Sequence, residues 1–368
     1  MYMSENQGET YKLEITDQEY IDKKKEILSQ QVEFIDLEKP TTIAQLVESY
    51  GKMSIQARNI GKCTEVFQSM LQDEERPTIM LGIAGPLIAA GLRKVIRDMI
   101  MFGLVDVVVS TGAILYQDFY QATGGRHFIG SPEADDTVLR DLLIDRIYDT
   151  YVDEEKFWKT DIWLGHFADT LEPRPYSTRE FLHKLGSIVE DNGSILRAAY
   201  EKGIPVFAPA INDSSIGIGL TDHYYRMRKE NRPHMSIDSI RDNYELTQIV
   251  VNSKRTSAFY VAGGVPKNYI NDSVVMAYIF GMETGGHKYA LQVTTDVPHW
   301  GGLSGSTLDE ATSWGKINTK AYRAMAFVEP SVSLPLIVGS ALERKWAEKR
   351  SKIQYSWDDD KLTSISYK

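Results

Sequence analysis

The sequence predicts an α/β protein with a Rossmann-like, mostly parallel sheet and helices on both faces, built as a single large domain. Three observations support this prediction. Short apolar runs without polar alternation recur along the chain, helical stretches separate them, and each run ends in small or polar residues. Apolar runs of this kind are typical of strands buried on both faces of a parallel sheet. The length of 368 residues suffices for such a domain with a substantial core.

The chain divides by composition into three parts. An acidic and polar beginning predicts an N-terminal arm over residues 1–40, followed by the α/β domain over residues 41–350 and a C-terminal tail over 351–368. Residues 41–75 have apolar positions at helical spacing, and residues 86–103 and about 130–200 also favour helices. The six predicted strands lie in "PTIMLGIAG" (77–85), "LVDVVVSTGA" (104–113), "GIPVFAPAINDSS" (203–215), "SAFYVAGGVPKN" (257–268), "HKYALQVTTD" (287–296) and "YRAMAFVEPS" (322–331).

Composition argues against several classes of protein. A net charge of −10 disfavours binding to nucleic-acid phosphates, although it fits either a cationic substrate or simple solubility. No run of about 18 apolar residues is present, so no membrane-spanning helix is expected. The single Cys63 excludes an intrachain disulfide and a cysteine-cluster metal site. No His, Asp and Glu spacing matches a metal motif. We therefore expect a cytoplasmic protein that holds no metal.

The ends of the predicted strands indicate a dinucleotide site. In open α/β sheets the ligand crevice lies at the carboxyl ends of the strands, where glycines and helix N-termini receive phosphates. "GIAGPLIAAG" lacks the full Gly-x-Gly-x-x-Gly fingerprint, and each turn alone also fits an ordinary tight turn. Asp213 or Glu329 could accept hydrogen bonds from ribose hydroxyls. The strand-end residues are Gly82 to Gly85, Ser110 to Gly112, Asn212 to Ser214, Gly263, Gly264, Thr294 to Asp296, and Glu329.

The segment "STLDEATSWGKI" (306–317) contains the candidate nucleophile, Lys316. Most lysines are solvated, but this one follows Trp314 and Gly315 and the long loop "HWGGLSGS" (299–306), in the region where chemistry tends to lie. A lysine must be neutral to attack a carbonyl or imine, so burial or a nearby cation has to lower its ordinary pKa of about 10.4. The indole of Trp314 is expected to provide a dry wall.

These segments resemble the deoxyhypusine synthase family. "DEATSWGKI" is similar to the family's active-site lysine segment, and "GGVPKN", "PAINDSSIG" and "VVVSTGA" are similar to three further family segments. "PTIMLGIAGPLIAAGLRKVI" and "IQARNIGKC" match more loosely. The resemblance covers roughly residues 40 to 345, and the lysine segment is its most specific part.

The resemblance implies an NAD-dependent aminobutyl transferase, with residues 41–350 as its NAD-binding catalytic domain. In such enzymes NAD takes hydride from spermidine, the aminobutyl unit passes to the lysine as an imine, and an acceptor amine then receives it as the hydride returns. In deoxyhypusine synthase the acceptor is a lysine of a translation initiation factor. The family also implies a homotetramer with sites at subunit interfaces.

Residues that match the family's motifs take the implied roles. Lys316 is the nucleophile, Glu310 a carboxylate of the polyamine pocket, and Trp314 its aromatic wall. Glu329 stands where the family usually has aspartate. The implied NAD contacts, together with two residues added by the strand-end pattern, are Gly85, Thr111, Gly112, Asp213, Gly263, Gly264, Thr295, Asp296 and Glu329.

Four departures fall in the implied polyamine pocket. Ile218 and Leu303 replace aspartates, Asn268 replaces a histidine thought to act in proton transfer, and Gln117 replaces a glutamate. Each loss removes a charge-assisted contact that is typically worth ~1.5–3 kcal/mol. The residues considered for substrate contacts in the same loops are Tyr116, Asp118, Asn268, Asp296 and His299. A structural loop role for His299 and a helix cap for Asp118 are the alternatives.

The departures resemble the deoxyhypusine synthase-like branch, which implies homospermidine-type transfer to a free diamine such as putrescine. Transfer to a lysine of the translation factor stays open beside it. Two other classes also remain. One is an NAD-dependent amine dehydrogenase, which would accumulate NADH, and the other is a non-catalytic NAD-binding protein, which would form no imine.

Overall fold

The computed structural model describes residues 14–303 and 306–368. The helices are α1 (Gln18–Ile27), α2 (Ile43–Lys52), α3 (Ile55–Gln72), α4 (Arg93–Met101), α5 (Gly112–Ala122), α6 (Asp136–Asp141), α7 (Glu154–Asp169), α8 (Thr178–Ser187), α9 (Ile195–Lys202), α10 (Ser215–Lys229), α11 (Ser239–Asn252), α12 (Gly264–Ile279), α13 (Leu308–Ser313) and α14 (Pro330–Glu343). The strands are β1 (Thr78–Ile83), β2 (Val107–Ser110), β3 (Phe128–Ile129), β4 (Ile144–Ile147), β5 (Thr150–Asp153), β6 (Pro175–Tyr176), β7 (Val206–Phe207), β8 (Ser236–Ile237), β9 (Thr256–Val261), β10 (His287–Val293), β11 (Ile317–Ala326), β12 (Ile353–Asp358) and β13 (Lys361–Tyr367).

A six-stranded sheet forms the centre of the molecule. Its order is β11-β10-β9-β1-β2-β7, and every neighbouring pair is parallel. Counted along the chain, the strands start at the middle, build outward in one direction, and then build outward in the other. This is the Rossmann strand order. The predicted α/β class and all six predicted sheet strands are therefore confirmed.

Both faces of the sheet are covered, as the apolar runs predict. All six residues of β1 are buried, and alternate side chains enter different cores. Ile79 and Leu81 belong to the core shared with α3, α4 and α14, whereas Met80 belongs to the core shared with α11 and α12. Burial of both strand faces explains why the sequence shows no polar alternation there.

The region from 130 to 200 contains more than the predicted helices. The helices α6 to α9 are present, but β4 and β5 form an antiparallel hairpin that also pairs with β3, so the helical prediction is wrong there. Tyr148 turns the hairpin with a φ of +55°. The turn residues Tyr148 and Asp149 lack the Asn-Gly type of signal that marks two-residue hairpins, which hid this element in the sequence. Upstream, the helix predicted from residue 86 begins only at Arg93.

The two ends of the chain differ in how they contact the domain. The predicted tail forms the β12–β13 hairpin, and Arg179 of α8 lies over the ring of Trp357 at 4.0 Å. Asp359 at the hairpin turn pairs with Arg241 at 2.6 Å. Within the predicted arm, α1 has no buried residue. Residues 1–13 of the arm, and Ser304 and Gly305 of the predicted loop before Lys316, lie outside the described residues.

Candidate functional site

The predicted cofactor turns after β1 and β9 lie side by side at the carboxyl edge of the sheet. β1 is the strand at which the chain order reverses, with β2 on one side and β9 on the other. The last residues of the two strands, Ile83 and Val261, are direct partners in the ladder. Gly85 follows the first strand, and Gly263 and Gly264 follow the second. Dinucleotides bind across this reversal point in Rossmann sheets.

The backbone at this point fits a phosphate. Gly85 and Gly264 have φ values of +89° and +66°, in the left-handed region that favours glycine. Gly263 is the N-cap of the sixteen-residue helix α12, so the N-terminus of this helix lies at the carboxyl edge, where a helix N-terminus favours an anion. A Cβ on Gly264 would lie 3.4 Å from the Cβ of Ala84 in the neighbouring turn. The two turns therefore approach each other so closely that a side chain at position 264 would contact Ala84.

A second part of the carboxyl edge is formed by the turns after β2 and β7. Thr111 is the N-cap of α5 but makes no side-chain cap hydrogen bond among the described residues. A Cβ on Gly112 would lie 2.4 Å from the Oγ of Ser214, so the turn after β7 packs directly on the start of α5. Asp213 in that turn is exposed. The structure therefore brings these three predicted residues together around one helix N-terminus.

The turns after β10 and β11 complete the edge. Thr295 and Asp296 are exposed, and the amide of Asp296 donates to the Oγ1 of Thr294 at 3.1 Å. Glu329 is the N-cap of α14, and its carboxylate accepts from the amide of Ser331 at 2.8 Å. Glu329 also lines a cavity of about 590 Å³ between the turn after β1, the start of α14 and the β3–β5 hairpin sheet. Its carboxylate thus serves a helix cap at the border of a cavity.

The helix that carries the lysine segment is short and capped at its start. Thr307 and Glu310 form a capping box around α13. The amide of Thr307 donates to Glu310 Oε2 at 2.7 Å, and the amide of Glu310 donates to Thr307 Oγ1 at 3.0 Å. The backbone hydrogen bond from Thr307 lowers the pKa of the Glu310 carboxyl. The Thr-x-x-Glu spacing of a capping box was visible in the sequence but was not recognised there.

The same helix is also capped at its end, which explains the order Trp-Gly-Lys. Trp314 is the C-cap, and Gly315 follows with a φ of +69°. The amide of Gly315 donates to Thr312 O at 3.0 Å and the amide of Lys316 donates to Ala311 O at 3.1 Å. These two bonds are the Schellman motif, in which glycine takes the left-handed position. The glycine therefore fixes the direction in which the chain leaves toward Lys316.

The side chain of Lys316 is sheltered and paired. It is 16% exposed, and its Nζ lies 3.3 Å from Asp272 Oδ1 on α12. Nζ also lies 5.5 Å from the centre of the Trp314 ring. Trp314 itself is 68% exposed in the single chain, so its indole covers Lys316 on one side and presents its other surfaces outward.

Lys316 lies at the opposite edge of the sheet from the cofactor turns. Its carbonyl accepts from the amide of His287, the first residue of β10. The seven-residue strand β10 separates this point from the turn after Val293 by about 20 Å. Within one chain, the structure therefore brings the predicted cofactor residues together but keeps the backbone of Lys316 apart from them.

A residue that sequence reasoning missed, Lys267, holds the loop before α13. It is fully buried in the first turns of α12, and its ammonium donates to Gln292 Oε1 at 3.0 Å and Leu303 O at 2.7 Å. The carbonyl of Ser306 is a third acceptor. Burial lowers the pKa of Lys267 to about 8. "GGVPKN" showed a lysine just after a glycine turn, but its depth depends on loop packing that the sequence does not reveal.

The surroundings of Asp118 bear on its two predicted roles, in substrate binding and as a structural residue. Asp118 is fully buried, and its carboxylate accepts from Arg93 Nε at 2.7 Å, Ser194 Oγ at 2.7 Å and the amide of Leu196 at 3.0 Å. It joins α5 to α4 and α9. These three donors favour the structural alternative for Asp118, and substrate binding by this residue stays a prediction.

The remaining substrate candidates are distributed along the carboxyl edge. His299 is exposed beside Trp300, with ring centres 5.4 Å apart, and Asn268 is half-buried in α12. Tyr116 is buried and its hydroxyl donates to Phe157 O at 3.0 Å. At the two positions where acids were expected, Ile218 is 59% exposed and Leu303 is fully buried with a φ of +64°. Leu303 therefore contributes to the core.

Over residues 14–303 and 306–368, no helix is both long and apolar enough to cross a bilayer. Over the same ranges, no three side chains of the metal-ligating types come together in a group suited to hold a metal ion.

Comparison with known proteins defines the family. The model of the deoxyhypusine synthase family matches residues 45–341, which is most of the chain. The protein therefore belongs to the deoxyhypusine synthase family, and this membership implies an enzyme of the transferase class.

Individual relatives support the same assignment. A "Deoxyhypusine synthase-like protein" of Coxiella burnetii is 41% identical over 339 residues, which cover 90% of this chain and 95% of the relative. "Probable deoxyhypusine synthase 2" of Methanosarcina acetivorans is 40% identical over 334 residues, with the same coverage. A solved structure of a candidate deoxyhypusine synthase from Entamoeba histolytica superposes with a TM-score of 0.60 at 18% identity, covering 90% of this chain and 100% of that chain. At that identity the likeness supports the fold.

Proposed function

We propose that this protein is an NAD-dependent transferase that moves an aminobutyl unit from spermidine or a related polyamine through an imine on Lys316. The observation that carries the proposal is the placement of this amine. A six-residue helix with caps at both ends fixes the backbone, and the side chain is 16% exposed between an indole and a helix. A sheltered amine on a rigid support suits a covalent role better than a solvated one.

The carboxyl edge of the sheet is the proposed NAD site. When bound, NAD would supply a reversible acceptor for hydride. Gly85, Gly263 and Gly264 would receive the pyrophosphate at the reversal point, since their backbone allows close approach. Asp213 is exposed and has the right chemistry for a ribose hydroxyl. The other proposed contacts at this edge are Thr111, Gly112, Thr295, Asp296 and Glu329.

Lys316 and its neighbours would bind the polyamine and carry out the transfer. The neutral Nζ attacks the C=N carbon of the oxidised donor, and Trp314 excludes water from one side of the reacting nitrogen. Glu310 remains our proposed contact for a substrate ammonium, with its Oε2 also accepting from Thr307. Asn268 and His299 are proposed as polar contacts for the polyamine.

We also propose that a second copy completes each site, as part of a homotetramer. The supporting observation is a backbone separation of about 20 Å between the two ends of β10, with Lys316 at one end and the cofactor turns at the other. The Lys316 amine reaches back as far as Asp272, which lies about 12 Å along α12 from Gly264. The largely exposed indole of Trp314 fits such an arrangement, because a facing subunit would cover it.

The favoured acceptor is a free diamine such as putrescine. The support is the absence of charge at Ile218 and Leu303, which implies that amine recognition differs from that of deoxyhypusine synthases that modify a protein. A lysine of a translation initiation factor is the alternative acceptor, and the same assay can test both.

The test combines product analysis with chemical trapping. The enzyme is incubated with NAD and a panel of polyamines, with putrescine or the translation factor as acceptor, and products are identified by mass spectrometry. Borohydride is then added, and peptides are mapped. We expect aminobutyl transfer with almost no net NADH and an adduct on Lys316. Lys320→Ala, an exposed lysine four residues away, is the matched control and keeps the adduct.

Two outcomes would contradict the proposal. Steady accumulation of NADH without transfer would identify an amine dehydrogenase. Binding of NAD without an adduct from any polyamine would identify a non-catalytic protein.

A further inference from the structure

We propose that Asp272 is the counter-ion of the imine nitrogen that forms on Lys316, an inference that rests on the proposed function. The carboxylate Oδ1 lies 3.3 Å from Lys316 Nζ, which is the nitrogen that would carry the aminobutyl unit. Asp272 is on α12, a well-ordered sixteen-residue helix that also packs against the sheet through Ile270 and Val274. The helix therefore holds the carboxylate at a fixed place beside the reacting atom.

The other carboxylates of the lysine segment are engaged elsewhere. Asp309 pairs with Arg323 at 2.7 Å, and Glu310 closes the capping box of α13. Among the described residues, Asp272 alone places a carboxylate within ion-pair distance of Lys316. Its side chain is 49% exposed whereas that of Lys316 is 16% exposed, so the carboxylate stays hydrated while the nitrogen is sheltered.

The chemistry of the step explains why a carboxylate belongs there. The neutral Nζ forms a bond to the C=N carbon of the protonated donor imine, and the bond from that carbon to the departing diamine breaks. One of the two Nζ hydrogens moves to the leaving nitrogen, so the positive charge ends on the new iminium of Lys316. The nitrogen is thus neutral when it attacks and cationic afterwards, as the iminium.

A carboxylate beside this nitrogen favours the charged form of the imine. The protonated imine is the electrophile that the acceptor amine attacks and the hydride reduces. Asp272 therefore keeps the imine in its reactive form.

Several other titratable groups face the pair and have to be considered in a pH experiment. Lys267 and Lys316 influence each other, since the charge of Lys316 contributes to the lowered pKa of Lys267. The charge of Asp272 contributes to the raised pKa values of Tyr260 and Tyr269. The groups near the pair on α12, α13 and β9 are Tyr260, Lys267, Tyr269, Tyr278 and Glu310, and Asp242 of α11 acts on Tyr269.

The test compares two reducing agents across pH. Borohydride reduces imines in either protonation state, whereas cyanoborohydride reduces the protonated form far faster. The ratio of adduct on Lys316 with the two reagents, measured by mass spectrometry with NAD and spermidine, reports the protonated fraction at each pH. In Asp272→Asn we expect the midpoint of this ratio to fall by about one pH unit. Asp272→Glu restores most of the shift, and Asp309→Asn, the matched control, leaves the midpoint unchanged.

The outcomes separate the two proposals. An adduct in wild type with the same midpoint in Asp272→Asn would overturn the counter-ion role and leave the transferase proposal standing. No adduct in wild type with any polyamine would overturn both, because no imine would exist. Folding of Asp272→Asn is checked by its NAD affinity, which depends on the other edge of the sheet and is expected to equal that of wild type.

Discussion

The two edges of the central sheet are built by different means. At the carboxyl edge, strand order alone brings the turns after β1 and β9 together, and glycines leave space for a ligand. At the amino edge, a six-residue helix with a capping box and a Schellman turn fixes one lysine. The first site follows from topology and the second from local backbone chemistry. The proposed cofactor site would therefore come with the fold, whereas the placement of Lys316 depends on a short local segment.

The difference also bears on assembly. In one chain the two edges are separated by the length of β10, and the indole beside Lys316 is largely exposed. Our proposal that a second copy completes each site rests on these two observations. The predictions below separate the two regions or test how they cooperate, beginning with the largest expected effect.

Removal of the amine should abolish the transfer and leave cofactor binding intact. Lys316→Ala is expected to lower kcat at least about 1,000-fold, because no imine can form on the chain. NAD affinity, measured by titration calorimetry, should stay within twofold of that of wild type, since the backbone of Lys316 lies at the other edge of the sheet. Substantial transfer by Lys316→Ala would show that another nucleophile carries the unit. Lys320→Ala is the control.

A negative charge at the reversal point should weaken NAD binding, which is the property that Lys316→Ala is expected to leave intact. Gly264→Asp places a carboxylate at the start of α12, where the pyrophosphate would lie, and is expected to weaken NAD binding at least about 100-fold. Gly281→Asp is the matched control, because Gly281 has a similar φ of +78° and no atom within 4 Å of its Cβ position. Equal NAD affinity in the two variants would place the cofactor elsewhere.

A variant of Glu310 tests whether this capping residue also binds substrate. Glu310→Gln keeps an acceptor for the amide of Thr307 but loses the charge. We expect KM for the polyamine to rise about tenfold, as for the loss of one charge-assisted contact, with an unchanged melting temperature. A normal KM with normal stability would restrict Glu310 to its cap.

The smallest expected effect concerns the buried Lys267 and the dependence of stability on pH. Its pKa is about 8 in the folded protein and 10.5 in the unfolded chain, so the unfolded state binds more protons between these values. This residue therefore makes the free energy of unfolding rise with pH from 8 to 10.5. In Lys267→Met the slope should be smaller by at most about 1.4 kcal/mol per pH unit, measured by urea denaturation. Equal slopes would mean that Lys267 titrates normally.

The sequence predicted the properties that depend on residues close together along the chain. The buried strands, the strand-end turns and the importance of the Trp-Gly-Lys order were all readable, and the family resemblance that they supported is confirmed. The hairpin at Tyr148 was missed because its turn lacks the usual residues. Asp118, Lys267 and Asp272 could not be assigned, because their roles depend on contacts with residues 20 to 80 positions away. Such contacts have no local signature.

The most direct test of the central claim mixes two inactive variants. Lys316→Ala and Gly264→Asp are combined with subunit exchange, and native mass spectrometry verifies that mixed oligomers form. If each site takes its cofactor turns from one copy and its lysine from another, about a quarter of the sites in a random mixture have both intact parts. We predict activity near that fraction of wild type. Verified mixed oligomers with only the background activity of the separate variants would contradict the shared site.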